Sequence, residues 1–275
     1  MQISPETPPQ IVERAAAAMP DRAELWGRVA AFCIFLLAAA YTLYAVQGMS
    51  GGMKMPGHWI MPMMWMVMPG KTLAGSALIF LLMWQAMMIA MMLPSSWPML
   101  ELYSRVARNT GQRWPIVGTS MAAAGYFAIW GVFGAIAFAA GIAVSHAAMS
   151  SAEISRWIPA AAGVSLILAG VWQLTQLKQA CLSHCREPLL FLGHAYKPGI
   201  VGGFRVGLHH GAYCAACCWA LMVMQLVLGV MNVAVMAAVA AIIAVEKLWK
   251  RGPLLSRVVG AISILGGILI IVRSI

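Results

Sequence analysis

The sequence predicts an all-α fold, a polytopic membrane helix bundle of about seven transmembrane helices with its N-terminus inside and its C-terminus outside. Three observations carry that expectation. Hydrophobic residues make up 62% of the 275 and charged residues only 9%, where a soluble domain carries roughly 25% charged. Seven apolar runs are bounded by charge, Pro or Gly and approach the ~20 residues that a helix needs to cross a hydrocarbon core of ~30 Å. The basic residues fall unevenly on the segments between those runs, as they do when a membrane protein has a fixed orientation.

The chain opens with a polar stretch, residues 1–28, that lacks the pattern of a cleavable signal and is expected to form a cytoplasmic tail. Within it, Ile11–Met19 can make a short interfacial helix. Residues 29–275 are expected to form one transmembrane domain. Its apolar runs are Val29–Val46, Leu73–Leu93, Ile116–Val144, Ile158–Leu177, Phe204–Leu228, Val230–Leu248 and Leu254–Val272. Pro94 is expected to end the second. Phe204–Leu248 has no charge before Glu246 except Arg205. As one helix it would be about 67 Å long, so a hairpin near Gly229–Asn232 is required.

With the N-terminus inside, 14 Lys and Arg residues fall on the inner segments and four on the outer ones, Lys54, Lys71, Arg156 and Arg273. The net charge of +10 is therefore a topology signal. It forms no basic run or stripe, which argues against a nucleic-acid partner. The bilayer is the expected environment, the bacterial inner membrane the expected location. Five of the six cysteines crowd into Cys181–Cys218, partly inside an apolar run, which does not suit a disulfide framework. Cys33, alone in the first run, reads as packing.

The sharpest chemical signal is His209-His210-Gly-Ala-Tyr-Cys214-Ala-Ala-Cys217-Cys218. On a helix His210 and Cys214 are four apart, and Cys214 stands three and four from Cys217 and Cys218, so an imidazole and three thiols share one face. Singly, such residues fill space or satisfy a hydrogen bond; together they form a candidate metal site. Zinc-finger and haem-attachment spacings do not match.

Methionine numbers 22. Eight lie in the first outer segment, Met49, Met53, Met55, Met61, Met63, Met64, Met66 and Met68, beside His58. Thioethers bind Cu(I) without deprotonation, so this segment reads as a copper-collecting loop, or alternatively as a flexible apolar loop resting on the membrane with Trp59 and Trp65. Met83, Met87 and Met91 continue as a stripe on the second run, at the same depth as the thiols, where packing is the plainer reading. A third candidate is Cys181, His184 and Cys185, brought together if the fourth helix extends through them, as an exit or sensor site or as ordinary reduced thiols. Glu246-Lys247 reads as an interfacial ion pair.

The Met-Met-x-Ala-Met-Met-x-Pro run at Met87–Pro94, the Leu-Lys-x-x-Cys-Leu-x-x-Cys-Arg run at Leu177–Arg186 and the Gly-x-x-His-x-x-Tyr-Cys-x-x-Cys-Cys-Trp run at Gly207–Trp219 resemble a bacterial family of uncharacterised integral membrane proteins described as predicted metal-binding. That resemblance implies a metal and supplies no reaction. The expected function is binding of a soft transition metal, copper before zinc, for transfer, delivery or assembly with a metal-receiving client or a larger membrane complex. No nucleotide-binding motif is present, so the chain is not expected to be a phosphorylating metal pump by itself. The alternatives are a membrane-embedded redox enzyme, using copper or a Cys-x-x-Cys couple, and a structural subunit.

Overall fold

The computed structural model describes residues 8–17, 21–49, 51–66, 70 and 72–274. Met19, Met68 and Lys71 lie outside the described residues, as do the side chains of Ile11 and Met49. The chain forms an all-α bundle: α1 Pro8–Ala17, α2 Arg22–Met49, α3 Leu73–Asn109, α4 Pro115–Ser150, α5 Ala152–Leu174, α6 Gln176–Arg186, α7 Pro188–Ala195, α8 Gly199–Gly229, α9 Val233–Leu248 and α10 Gly252–Ser274. Six of these, α2, α3, α4, α5, α8 and α10, are long and apolar enough to cross a membrane. They point to a multi-pass membrane protein, and their outward faces carry apolar side chains such as Leu37, Ile116, Leu265 and Val272. The seventh expected span, α9, has 16 residues and is about 24 Å long.

The required hairpin is present. Gly229 closes α8 with φ +121°, a conformation that favours glycine, and the Asn232 side chain caps α9 by accepting from the amides of Ala234 and Val235. Two boundaries differ from expectation. Pro94 and Pro98 lie inside α3, which continues to Asn109; tertiary packing on both sides of the prolines overrides their helix-breaking tendency, and the Ser95 and Ser96 hydroxyls donate to the Met92 and Leu93 carbonyls. The fourth run does not extend through Cys181. Thr175 is extended, and its side chain caps a new helix, α6, by accepting from the Lys178 amide.

Residues 51–66, expected as a loop, contain a hairpin of β1 Gly52–Met55 and β2 Trp59–Pro62, antiparallel with Met53 opposite Met61. Its turn uses Gly57 at φ +95° and His58 at φ +59°. The hairpin is seated on the bundle: Trp59 Nε1 donates to the Ser155 carbonyl at 3.0 Å, and Ser145 Oγ donates to the Trp65 carbonyl at 2.8 Å. At the opposite end, α1 and α7 pack on the C-terminal half of α3, and Glu24 and Glu101 pair with Arg105, Arg108 and Arg28.

Without water to expel from between helices, close backbone approach stabilises such a bundle. Gly203, Gly207 and Gly211 recur every fourth residue of α8 and face α4. A Cβ on Gly207 would stand 1.9 Å from the Ala122 carbonyl oxygen. A second glycine contact joins α5 and α10, where Gly170 and Gly260 face each other's backbones.

Gly207→Ala is therefore expected to separate α4 from α8 and destabilise the fold by about 1–3 kcal/mol or more. Gly266→Ala, at a helical position with open space around it, is expected to stay within about 0.5 kcal/mol of wild type. Melting of both variants in detergent checks the pair, and equal behaviour would refute the interface.

Candidate metal centre

Cys214 stands midway along α8, and the helical repeat places Cys217 and Cys218 one turn further on, with all three thiols buried. The break at Thr175 brings in a fourth. It lets α6 pack against α8 as a separate helix, so that Cys185 is buried with its sulfur 3.9 Å from that of Cys217. The Cys217 and Cys218 sulfurs are 3.3 Å apart, and the Cys217 thiol donates to the Cys214 carbonyl at 3.2 Å. A tetrahedral thiolate site with ~2.3 Å metal–sulfur bonds separates its sulfurs by about 3.8 Å; the Cys185–Cys217 separation is close to that value and the Cys217–Cys218 separation is shorter. The sulfurs nevertheless touch one another, and among the described residues no three or more His, Cys, Asp or Glu form a ready-made cation cage.

The cation beside these sulfurs is a lysine. Lys247 is buried, with Nζ 2.9 Å from Cys214 Sγ and 3.3 Å from Ser95 Oγ. Tyr126 on α4 completes the surround, its hydroxyl 2.9 Å from Cys214 Sγ. Glu246 and Lys247 are not the interfacial pair expected from their adjacency. Consecutive residues on a helix point about 100° apart, so Glu246 turns to Lys178, 2.7 Å away, while Lys247 turns to the thiols. Lys178 also donates to Gln173 Oε1, and Ser256 Oγ donates to the Gln173 carbonyl at 3.0 Å. Around the thiols the described residues thus set two buried ammonium groups, Lys178 and Lys247, against one buried carboxylate, Glu246, with the excess positive charge against Cys214.

The other expected ligands divide by position. His210 is buried, stacked on Tyr126 with centroids 5.6 Å apart, and its Nδ1 has no hydrogen-bond partner. Met83, Met87 and Met91 are buried in the same core as the thiols, and Gln225 Nε2 on α8 approaches Met87 Sδ at 3.4 Å. His209 and His184 are exposed and pack on Tyr213, with ring centroids 5.1 Å and 4.3 Å from it. Cys181 is half-buried, which pushes its thiol pKa up. Cys33 is exposed on α2 rather than packed inside. In the outer segment Met61 and Met64 are buried, whereas Met53 and Met63 are exposed. Sequence reasoning missed Lys247, Lys178, Tyr126 and Gln173. A lysine one residue from a glutamate near the end of an apolar run was the available signal.

Fold and site together define a multi-pass helical protein with a buried thiol cluster. The model of the PpoB2 family, described as copper chaperones, matches residues 81–270. The chain belongs to that family and has a copper-related role. No curated protein and no solved structure matches the chain.

Lys178 and Glu246 are 0% and 1% exposed, so removing one leaves the other as an uncompensated charge. Lys178→Met is expected to cost about 3–5 kcal/mol, and Lys178→Met with Glu246→Met to recover most of that loss. Thermal unfolding in detergent checks this; additive losses would show that the two residues do not act as a pair.

Proposed function

We propose that this chain is a copper-delivering membrane protein. It takes Cu(I) as cargo, holds it on the thiols of Cys185, Cys214, Cys217 and Cys218, and passes it to a receiving protein or a larger membrane complex. The observation that carries this reading is the gathering of four buried thiols from α6 and α8, one of them, Cys214, against the Lys247 ammonium. Thiolate and thioether donors favour Cu(I) over harder cations. Cu(I) on two thiolates carries one net negative charge, which Lys247 balances in an interior where an unpaired charge is costly. A divalent ion on the same two thiolates is neutral and leaves the lysine uncompensated, which favours copper over zinc.

The remaining soft donors extend the site. His210 contributes its unpartnered nitrogen, and Met83, Met87 and Met91 line the approach from the end that bears the hairpin. There the exposed Met53 and Met63 collect the ion. The setting is the inner membrane of a bacterium, crossed N-in and C-out, with residues 1–28 in the cytoplasm and residues 29–275 as one domain. The 3.9 Å approach of Cys185 to Cys217 favours a second reading, a dithiol–disulfide couple, although burial keeps these sulfurs from external thiols.

Detergent-purified protein exposed equally to Cu(I) and Zn(II) is expected to retain about one copper per chain. Cys214→Ala, Cys217→Ala and Cys218→Ala should each remove most of it. Lys247→Met should weaken it about tenfold, roughly 1.4 kcal/mol. Mass spectrometric metal analysis and competition with a Cu(I) chelator measure these outcomes. Absence of copper, or copper indifferent to the three cysteine substitutions, would overturn the reading; a metal-free, redox-active dithiol would establish the second.

A further inference from the structure

A cleft of about 380 Å³ opens between α6, α7 and the start of α8, lined by Ser183, His184, Glu187, Phe191, His194, His209 and Tyr213 among others. It lies at the end of the bundle opposite the hairpin. Three of the chain's six histidines border this one cleft, and all three are exposed. His194 carried no role in the sequence reading.

Two of these rings are fixed in one tautomer. His184 Nδ1 is 2.9 Å from the Ala180 carbonyl oxygen, and His194 Nδ1 is 2.9 Å from the Leu190 carbonyl oxygen. A carbonyl only accepts, so each Nδ1 carries the hydrogen, and in the neutral ring Nε2 keeps its lone pair. Metal-binding imidazoles are commonly held this way, one nitrogen donating to a carbonyl while the other ligates. A surface histidine held by solvent alone has no such constraint.

The cleft also shares its walls with the elements that carry the thiols. His184 stacks on Tyr213 and immediately precedes Cys185, whose sulfur joins the cluster; Tyr213 immediately precedes Cys214. Phe191 packs against both His209 at the mouth and His210 beneath it. An ion leaving the thiols toward this end would emerge among His184, His194 and His209.

We propose that this cleft is the port through which Cu(I) leaves, with His184 and His194 as transient Nε2 ligands and His209 beside them. The inference rests on the reading that the buried thiols hold copper. The step is ligand exchange without redox change. Each sulfur–copper bond that breaks is replaced by a nitrogen–copper bond, each freed thiolate regains from the buffer the proton it gave up on loading, and the ion departs to a soluble acceptor. Imidazole suits this part because it binds copper yet yields it more readily than thiolate does.

The full-length chain, loaded with Cu(I) in detergent, is mixed with excess water-soluble Cu(I) chelator, and release is followed by the chelator's absorbance. The variant His184→Gln with His194→Gln should load the same copper as wild type but release it on the order of tenfold more slowly. His146→Gln, an exposed histidine elsewhere on α4, should match wild type. Equal loading with equal release rates would overturn the port while leaving the thiol site intact. Failure of wild type to load copper would overturn the cargo reading and this inference with it. Reduced loading by the double variant would make these histidines equilibrium ligands and overturn their transient role.

Discussion

Charge in an interior without water governs how the centre of this protein is built. A buried ammonium or carboxylate is tolerated only when paired and hydrogen-bonded, and this bundle buries Lys178, Glu246 and Lys247 together. Because Glu246 and Lys247 are consecutive on α9, they hold that helix from two sides. One binds it to α6 through Lys178, the other to α8 through Cys214 and to α3 through Ser95. α9 is short for a span, and its buried charges compensate by making its inner end a junction of several helices. The same junction leaves one positive charge with no carboxylate to meet it, and the place where it rests is a sulfur.

That placement depends on glycine. Tyr126 reaches Cys214 only because α4 and α8 approach closely along Gly203, Gly207 and Gly211. A side chain at any of these positions would widen the seam and withdraw the phenol from the thiol. The small residues therefore position the cluster as well as stabilising the helix pair, which links packing to site geometry.

Much of this was legible in the sequence, and the failures have physical causes. Hydrophobic run length located the six long helices, and the length limit of a bilayer demanded the turn at Gly229–Asn232, which glycine and asparagine then supply. Helical periodicity placed Cys214, Cys217 and Cys218 on one face, because that relation is local. Cys185 joins them through a chain reversal set by Thr175, a contact between distant segments that periodicity cannot reveal. Lys247 was misassigned for a related reason: adjacency suggested a pair, whereas helix rotation separates neighbours and gives each a distant partner. Pro94 misled because propensity is a local preference that surrounding packing overrides. The hairpin hid in a run of Met and Pro with no strand-like alternation, and it takes its seat from Ser145 and Ser155 on distant helices.

The distribution of donor chemistry along the bundle bears on how an ion would move without a nucleotide motor. Thioethers dominate one end and the helix leading inward, thiols occupy the middle, and imidazoles border the other end. Of these, thiolates hold Cu(I) most firmly, so on the proposed reading the middle would be a well with a shallower site on either side. Such an arrangement favours capture and residence over continuous flow. On that proposal, net movement would require a receiver whose own affinity exceeds that of the thiol cluster, or a partner that shifts Lys247 or Cys185 and so weakens the well. Cys185 is the natural point for the latter, since it is supplied by the short α6 rather than by the long helices, and α6 forms one wall of the cleft. A receiver docking there would press on the element that completes the cluster, coupling its arrival to release.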